Sequence, residues 1–294
     1  MSCSEPGSCT GRPACPPPPS PPQGCTSPTT LWADEFDAAV LDTASWNFYL
    51  GPAYNPTELE TYTSRPENVR LENGSLVIEA RAEVYGGMAY TSGRIDTRLK
   101  RAFYPGANVG GAVYSKIRFE ARMMLPKGQG MWPAFWLAPN SETCDACGPY
   151  GAWPYSGEID ILEAVNNMTY TFGTIHYGGF DASGVTLQNQ GHFRPTSYKL
   201  ALEWHTYAFE WSADRMWWYI DDVLYYTTQS HSLSGEGWWT SSQTGAPTGP
   251  NSPFDAPFYI ILNLAVGGGW PGPPDQSTVF PSRLLVDYVR VLGY

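Results

Sequence analysis

Charged residues are scarce in this sequence. Asp, Glu, Lys and Arg make up 15% of the 294 residues, whereas about a quarter is usual in soluble proteins. Only 17 residues are Lys or Arg, and the formal net charge is −11. Because the phosphates of a nucleic acid require a basic binding surface, the composition argues against a nucleic-acid partner.

Long apolar runs are also missing. No run approaches the roughly 20 residues that a membrane-spanning helix needs, so we expect no membrane partner. Residues 1–25 contain no apolar h-region, and the sequence therefore predicts no signal peptide. The four His residues show no H-x-H or H-E-x-x-H spacing, which argues against a zinc enzyme.

Cysteine is limited to six residues. They are Cys3, Cys9, Cys15, Cys25, Cys144 and Cys147. The even number, together with N-x-S/T sequons at Asn73 and Asn167, favours a secreted protein. Cys144 and Cys147 lie in one loop. The sequence leaves open whether they form a short-loop disulfide or are two free thiols.

The first 28 residues form a segment rich in Cys and Pro. The run PPPPSPP, residues 16–22, favours polyproline II and a semi-rigid spacer. We interpret residues 1–28 as an N-terminal linker or tail. A disordered tail with no specific role is the alternative. Residues 29–294 are then predicted to form one domain.

Aromatic and turn-forming residues, in contrast, are abundant. The chain has 12 Trp and 19 Tyr, with 30 Gly and 27 Pro. Alternating apolar and polar residues predict strands at 75–83, 115–125 and 283–293, and successive strands within 205–228. The nearly continuous apolar run at 258–268 predicts a strand covered on both faces. No long helical period is present, so we predict an all-β protein, a β-sandwich of two antiparallel sheets.

Three acidic residues interrupt an apolar stretch, GEIDILE, at residues 157–163. In a strand, Glu158 and Asp160 share one face. Strict alternation would turn Glu163 to the opposite, apolar face, where a lone carboxylate is costly. We therefore predict a β-bulge around Ile161 and Leu162 that returns Glu163 to the face of the other two acids.

Acids clustered in this way suit glycosidic-bond hydrolysis. A retaining glycosidase needs two carboxyls about 5–5.5 Å apart, one as the nucleophile and one as the acid and then the base. Crowding raises the pKa of one member, so that it stays protonated near neutral pH. Three solvated acids on an exposed edge are the alternative, but the nearby Trp132, Trp136 and Trp153 favour a sugar site.

The segment WPYSGEIDILEAV, residues 153–165, resembles the active-site strand of glycoside hydrolase family 16. Its extra residue is the bulged form of the motif, typical of laminarinases. Further segments similar to endo-β-1,3-glucanases of this family are GMWPAFWLAP, TIHYGG, HTYAFEW, AVGGGWPGPPDQSTVFP, RPENVRLENGSLVIEA and YTSGRI. The resemblance implies that residues 29–294 are the catalytic domain, a jelly roll with a concave substrate cleft.

The resemblance also implies roles for individual residues. Glu158 would be the nucleophile, Asp160 its assisting neighbour and Glu163 the acid/base. Residues expected to contact the substrate are Trp132, Trp136, Trp153, Arg94, His176, Trp270 and Asn55. No cofactor is expected for catalysis, and a structural Ca²⁺ would be held by Glu35, Gly74 and Asp287, whose oxygen atoms are suitable ligands.

One segment departs from the family pattern. Where relatives often have N-N-E-L-Q-Y-Y-T, this chain has YNPTELETYT at residues 54–63. A Pro intrudes after Asn55, and Glu60 stands where Gln is usual. The loop at 140–152 is longer than in many relatives and is expected to reshape one end of the cleft.

We predict a secreted, monomeric, retaining endo-hydrolase of β-1,3-glucan such as laminarin. Whether the enzyme also cleaves mixed-linkage β-1,3/1,4-glucan stays open. A glucan-binding module without catalysis is an alternative from another class. A hydrolase of another polysaccharide and a transglycosylase remain open, since agarases and carrageenases share the bulged motif.

Overall fold

The computed structural model describes residues 27–294 except Tyr54, Ala182 and Ser197. The predicted linker, residues 1–28, therefore lies outside the described part of the chain, apart from residues 27 and 28. Four of the six cysteines lie outside it as well. Among the described residues, no helix has the length and apolar character needed to cross a membrane.

The described residues form 23 strands and one four-residue helix, α1 (His231–Ser234). The strands are β1 (Thr29–Asp34), β2 (Asn47–Phe48), β3 (Gly51–Pro52), β4 (Glu60–Tyr62), β5 (Val69–Glu72), β6 (Ser75–Tyr85), β7 (Met88–Ser92), β8 (Arg94–Asp96), β9 (Ala102–Phe103), β10 (Asn108–Val109), β11 (Ala112–Val113), β12 (Lys116–Met124), β13 (Met131–Pro139), β14 (Cys147–Gly148), β15 (Gly151–Ala152), β16 (Glu158–Glu163), β17 (Thr171–Phe180), β18 (Thr186–Phe193), β19 (Trp204–Ser212), β20 (Arg215–Ile220), β21 (Val223–Gln229), β22 (Phe258–Val266) and β23 (Ser282–Gly293).

Two large sheets face each other across one core. The first has eleven strands in the order β21-β20-β19-β12-β23-β6-β7-β4-β3, with β1 beside β23 and β5 beside β6. The second has eight in the order β18-β17-β16-β13-β22-β8-β2, with β9 beside β22. Neighbouring strands run antiparallel except for the parallel pair β4–β7. The prediction of an all-β sandwich is confirmed.

Alternation of side chains builds the core from both sheets. On β12, Phe119 and Met123 point inward and are fully buried, while Arg118 on the outer face forms an ion pair with Glu120. The inward residues of the second sheet, such as Leu262 of β22, join the same apolar cluster. Burying apolar side chains from facing sheets is the main favourable contribution to folding such a sandwich.

The strand β22 is buried along its whole length, as predicted. One face packs into the core between the sheets. The other face carries Tyr259 and Ile261, which pack with Ala138 and Trp136. β22 therefore forms the floor of the candidate site on the outer face of the second sheet.

The predicted hairpins at 205–228 are also confirmed. They are β19, β20 and β21, and the second turn falls at Asp221 and Asp222. Both residues have positive φ, 47° and 61°, as tight antiparallel hairpins require at their two central positions. His205 accordingly has a structural role: its ring contacts Asp221 Oδ2 at 2.7 Å and Lys199 O at 2.7 Å.

Candidate active site

The strand β16 carries the predicted bulge. Phe135 of β13 pairs with Leu162, but the next residue, Trp136, pairs with Asp160. Ile161 is therefore the extra residue, and the register with β17 shifts at the same place. The backbone carbonyl of Asp160 accepts a hydrogen bond of 2.8 Å from Trp218 Nε1, which reaches across the core from the other sheet.

The bulge places all three acids in one cleft. Glu158, Asp160 and Glu163 line a cavity of about 1130 Å³ on the outer face of the second sheet, while Ile159 and Ile161 are buried in the core. The cleft is lined by residues from β4, β8, β13, β15, β16, β17, β18 and β22 and from the loops beside them. A cavity of this size fits several sugar rings better than a single small molecule.

Burial raises the pKa of all three acids. It brings the pKa of Glu158 to about 8, with further repulsion from Glu163, and that of Glu163 to about 7. The pKa of Asp160 is raised well above its ordinary value by burial and by both neighbours. Interacting acids of this kind titrate as a group. At neutral pH the triplet therefore keeps a proton, which general acid catalysis requires.

Hydrogen-bond donors distinguish the two glutamates. Trp132 Nε1 donates to Glu163 Oε1 at 3.0 Å, which opposes the rise of its pKa. Arg94 lies near Glu158 and favours its ionised form. Trp153 Nε1 also faces Glu158, although it makes no hydrogen bond of normal geometry.

His176 lies on β17 directly opposite Glu158. Its Nε2 is 3.5 Å from Asp160 Oδ2 and 3.7 Å from Glu158 Oε1. Burial lowers the pKa of His176 to about 4, so the ring is neutral at physiological pH. A neutral imidazole can donate one hydrogen bond to the acids without neutralising their charge.

Indole rings form the walls of the cleft. Trp132 contacts Trp270 edge to face, with ring centroids 5.6 Å apart. Trp153 packs against the ring of His176 at 5.5 Å. Trp136 Nε1 donates to Asn263 Oδ1 at 2.8 Å, which fixes its ring. The four tryptophans predicted to contact substrate thus all line the cleft.

The cleft also contains an arginine without an ion pair among the described residues. Arg94 is 8% exposed, and its guanidinium lies over the rings of Tyr49 and Trp136, at 4.8 and 5.0 Å from their centroids. Its Nε has no hydrogen-bond partner. Stacking on two aromatic rings holds the cation in place and leaves its N–H groups free for a ligand.

Asn55 lines the cleft at its rim. Its side-chain oxygen accepts hydrogen bonds from the backbone and the hydroxyl of Thr57, at 3.1 and 2.8 Å. This oxygen therefore stabilises the turn that contains Pro56.

Sequence reasoning did not identify several residues of the cleft. Glu58, Tyr62 and Asn263 line it beside Arg94. Glu58 lies in the segment that departs from the family pattern. A second acid two positions further on, Glu60, is the sequence feature that could have identified it. Asn263, in contrast, is the single polar residue of the apolar strand β22, and this isolated amide was the available signal.

The loop at residues 140–152 forms another part of the wall. Cys144 and Cys147 are joined by a disulfide, and Cys144 and Asp145 line the cleft. Arg98 holds the loop through an ion pair with Asp145. Tyr259 donates its hydroxyl to the carbonyl of Asp145 at 2.6 Å. The loop is therefore a fixed boundary of the site.

Of the residues expected to hold calcium, Asp287 lies on β23, Glu35 directly follows β1, and Gly74 lies in the turn between β5 and β6. Asp34, just before Glu35, pairs with Val289 of β23. Asp287 is on the same strand, while Gly74 turns the chain between β5 and β6 with a φ of 73°. The carboxylate of Glu35 forms a bidentate ion pair with Arg290, and Asp287 pairs with Arg122 at 2.7 Å. Carbonyl oxygens and one Asp287 oxygen are thus the donors left for an ion.

Among the described residues, one group of three His, Cys, Asp or Glu side chains has the spacing to hold a metal ion. It consists of Glu158, Asp160 and His176, whose nearest ligand atoms lie within 4.8 Å of one another. Two of them, Glu158 and Asp160, belong to the acidic triplet of the cleft, and His176 faces both. Their chemistry serves proton transfer and nucleophilic attack equally well.

Comparison with known proteins gives a consistent result. The family model described as glycosyl hydrolases family 16 matches residues 60–278. A beta-glucanase of Rhodothermus marinus is 39% identical over 270 residues, covering 89% of this chain and 84% of that protein. A glucan endo-1,3-beta-glucosidase of Cryptopygus antarcticus is 37% identical, covering 88% of this chain and 90% of its own length.

The same similarity holds for solved structures. The X-ray structure of the laminarinase from Rhodothermus marinus superposes with a TM-score of 0.74 at 37% identity. The superposition covers 91% of this chain and 98% of that one. Fold and sequence therefore point to the same group of proteins.

Proposed function

Because this chain belongs to glycosyl hydrolases family 16, we propose that it cleaves internal β-1,3 linkages of a glucan such as laminarin. It is a glycoside hydrolase, and hydrolases of this family need no catalytic cofactor. The observation that supports the choice of site is the bulged strand β16, which turns three acids into a cleft walled by indoles.

The proposed reaction is a double displacement. Glu158 attacks the anomeric carbon, and Glu163 gives its proton to the oxygen of the leaving sugar. A glycosyl-enzyme ester forms at Glu158. Glu163, now ionised, then takes a proton from water, and the water oxygen attacks the same carbon and releases Glu158. Two inversions give a product with the original β configuration.

The neighbouring groups support these roles. Burial and the charge of Glu163 raise the pKa of Glu158 to about 8, above that of Glu163, so the two acids titrate as a pair and the proton has to lie on Glu163 for the reaction. Arg94 favours that arrangement because it stabilises the ionised form of Glu158. Burial raises the pKa of Glu163 to about 7, which suits a group that donates and then accepts a proton near neutral pH. Asp160 and His176 contact each other at 3.5 Å and act beside the nucleophile.

Two variants test the assignment. Glu158→Ser and Glu163→Ala are expected to reduce hydrolysis of laminarin at least about 1000-fold while retaining glucan binding, since each removes one half of the reaction. Reducing-sugar release and calorimetry measure the two properties. Glu236→Gln, which removes an exposed acid outside the cleft, is the control.

Three results would contradict the proposal. Near-normal turnover in either variant would exclude the assigned acids. An α-configured first product in NMR spectra would exclude retention. Binding without hydrolysis by the unmodified protein would favour the glucan-binding module over the hydrolase that the comparisons support.

Mixed-linkage activity is part of the same proposal. Initial rates on laminarin, barley β-glucan and agarose would rank the substrates. A preference for agarose would replace the glucan assignment with another polysaccharide. The acidic composition of the chain, with a net charge of −11, supports a neutral glucan over a sulfated one.

Three further properties belong to the proposal. Secretion is supported by the exposed positions of both sequon residues, Asn73 and Asn167, and glycan analysis of the exported protein tests it. A structural Ca²⁺ near Gly74 and Asp287 is tested by the melting temperature with calcium and with a chelator. A monomer is tested by light scattering.

A further inference from the structure

The cleft extends across the second sheet on both sides of β16. Residues of β13, β22 and β8 line it on one side, and residues of β17 and β18 line it on the other. Neighbouring strands lie about 4.8 Å apart, so β17 and β18 extend the floor by about 10 Å, which is about the length of a disaccharide. We call this part, formed by Phe172, His176, Gln188 and Gln190, the β17–β18 groove.

Two glutamines form the floor of this groove. Gln188 and Gln190 lie two positions apart on β18, so their side chains share the face that lines the cleft. Both residues are exposed. Gln190 Nε2 donates to Thr174 Oγ1 at 3.0 Å, and this single bond leaves the amide with further donor and acceptor capacity. Two adjacent uncharged amides suit the hydroxyls of a neutral sugar.

An aromatic cluster forms one wall of the groove. Phe172 is half-buried on β17 and contacts the ring of Trp270 edge to face, with centroids 5.1 Å apart. Trp270 contacts Trp132 in the same manner at 5.6 Å. Sites for uncharged organic ligands combine aromatic walls with a few placed polar groups, as this wall and the amide floor do together.

The opposite wall is aromatic as well. Trp153 lines the cleft, and its ring contacts Phe180, at the far end of β17, edge to face at 6.4 Å. Phe180 is 47% exposed. The groove therefore has rings at both ends of β17 and amides between them.

The position of the proposed acid indicates which part of the substrate this groove receives. A general acid has to lie within hydrogen-bond reach of the oxygen that it protonates, so the leaving sugar lies beside Glu163. Phe172 is the cross-strand neighbour of Glu163, and side chains at such positions lie on one face, close together. Arg94, whose charge acts on Glu158, is on β8 in the other half of the cleft.

We propose that the β17–β18 groove binds the two glucose units that leave in the first step, with Phe172 as its wall and Gln188 and Gln190 as its hydrogen-bonding groups. This inference rests on the proposed glucanase function and adds to it the residues that decide where the chain is cut. The enzyme should therefore favour bonds that have at least two glucose units on the leaving side.

The test measures which bond of a β-1,3-glucan hexasaccharide is cleaved. The sugar carries ¹⁸O at its reducing end, and mass spectrometry at low conversion gives the ratio of labelled glucose to labelled disaccharide. In the double variant Gln188→Ala/Gln190→Ala this ratio is expected to rise about tenfold, as loss of one or two ordinary hydrogen bonds to the second leaving sugar would produce. Glu236→Gln, an exposed control outside the cleft, should keep the ratio of the unmodified protein.

Variants of Phe172 test the wall in the same assay. Phe172→Leu keeps an apolar side chain against Trp270 but removes the ring, so the ratio should rise about fivefold. Phe172→Tyr, which keeps the ring, should restore the ratio of the unmodified protein. A variant that only weakened Glu163 as an acid would slow every cut alike and leave the ratio unchanged, so the ratio separates sugar binding from an effect on the acid.

The outcomes distinguish this inference from the proposed function. Hydrolysis with an unchanged ratio in the double variant and in Phe172→Leu would overturn the inference and leave the function intact. A shift toward longer labelled fragments would do the same, because it would assign the groove to the sugars that stay on Glu158. Absence of hydrolysis by the unmodified protein on laminarin and on the hexasaccharide would overturn both.

Discussion

At the scale of single residues, the hydrogen bond from Trp132 to Glu163 is the contact with the clearest chemical effect. It joins indole Nε1 and carboxylate Oε1 at 3.0 Å. Because the bond stabilises the ionised acid, it keeps the pKa of Glu163 lower than burial alone would. Without it, Glu163, the proposed acid/base, would lose its proton at higher pH.

We expect Trp132→Phe to shift the alkaline limb of the pH profile of kcat/KM upward by about 0.5–1 pH unit. The value corresponds to one hydrogen bond of about 1 kcal/mol. Rates on laminarin between pH 5 and 9.5 measure it. Trp270→Phe removes an indole that contacts Trp132 and should leave the limb in place. An unchanged or lower limb in Trp132→Phe would contradict the assigned role of Glu163.

The sequence predicted the acids of β16 better than the groups around them. Alternation places Glu158 and Asp160 on one face, and the cost of burying Glu163 predicts the bulge. In contrast, the backbone N–H of Val266 donates to the carboxyl of Glu60, and these two residues are 206 positions apart in the sequence. Contacts of this kind follow from the order of strands in the sheet, which local patterns do not specify.

At the scale of elements, the bulge in β16 depends on support from the opposite sheet. Trp218 of β20 donates to the carbonyl of Asp160 within the bulge. Gly173 on β17 makes room for this indole, since a Cβ there would lie 2.3 Å from Trp218 Cδ1. An irregular strand position is thus fixed by a side chain that never enters the cleft.

Trp218→Phe should therefore affect both stability and rate. The variant leaves a buried carbonyl without a donor and a small cavity, so we expect a loss of about 2–4 kcal/mol in the free energy of unfolding. We also expect kcat to fall about tenfold, because the acids adjacent to the bulge lose their fixed spacing. Denaturant unfolding and laminarin kinetics provide the readouts.

Trp211→Phe is the matched control, since Trp211 is equally buried but its indole nitrogen has no hydrogen-bond partner. It should lose stability while its kcat stays within about twofold. Equal effects of both variants on kcat would show that Trp218 acts only through packing.

The elements themselves were predicted with uneven success. Regular alternation located β6, β12 and β23, and the continuous apolar run located β22. The very short strands, such as β2, β9 and β14, were not predicted, because two residues carry no period. They are defined by their neighbours in the sheets rather than by their own sequence.

At the scale of the whole molecule, the half-buried glutamates of the cleft oppose folding at neutral pH. Burial raises the pKa of Glu58 and Glu158 to about 8 and that of Glu163 to about 7. Their ordinary value, 4.5, applies to the unfolded chain. Between these values the folded state binds more protons than the unfolded state, so stability falls as the pH rises from about 4.5 to 8.

We therefore expect the melting temperature to be highest near pH 5 and to fall by about 5–10 °C toward pH 8, as a loss of a few kcal/mol would produce in a domain of this size. Calorimetric scans at constant ionic strength measure the change. Glu163→Gln removes one of the contributing groups and should reduce the slope, whereas Glu236→Gln should not. A melting temperature that rises steadily toward pH 8 would show that these carboxyls are ionised in the folded protein.

The distribution of indoles has a consequence for how the molecule can be observed. Trp46, Trp211, Trp218 and Trp238 are sealed in the interior, whereas Trp132, Trp136, Trp153 and Trp270 line the cleft. Excited by ultraviolet light, the first set should emit at short wavelengths and resist quenching by acrylamide. The second set should emit further to the red and be shielded from the quencher when a sugar chain lies over it. Tryptophan fluorescence should therefore report whether the cleft is occupied.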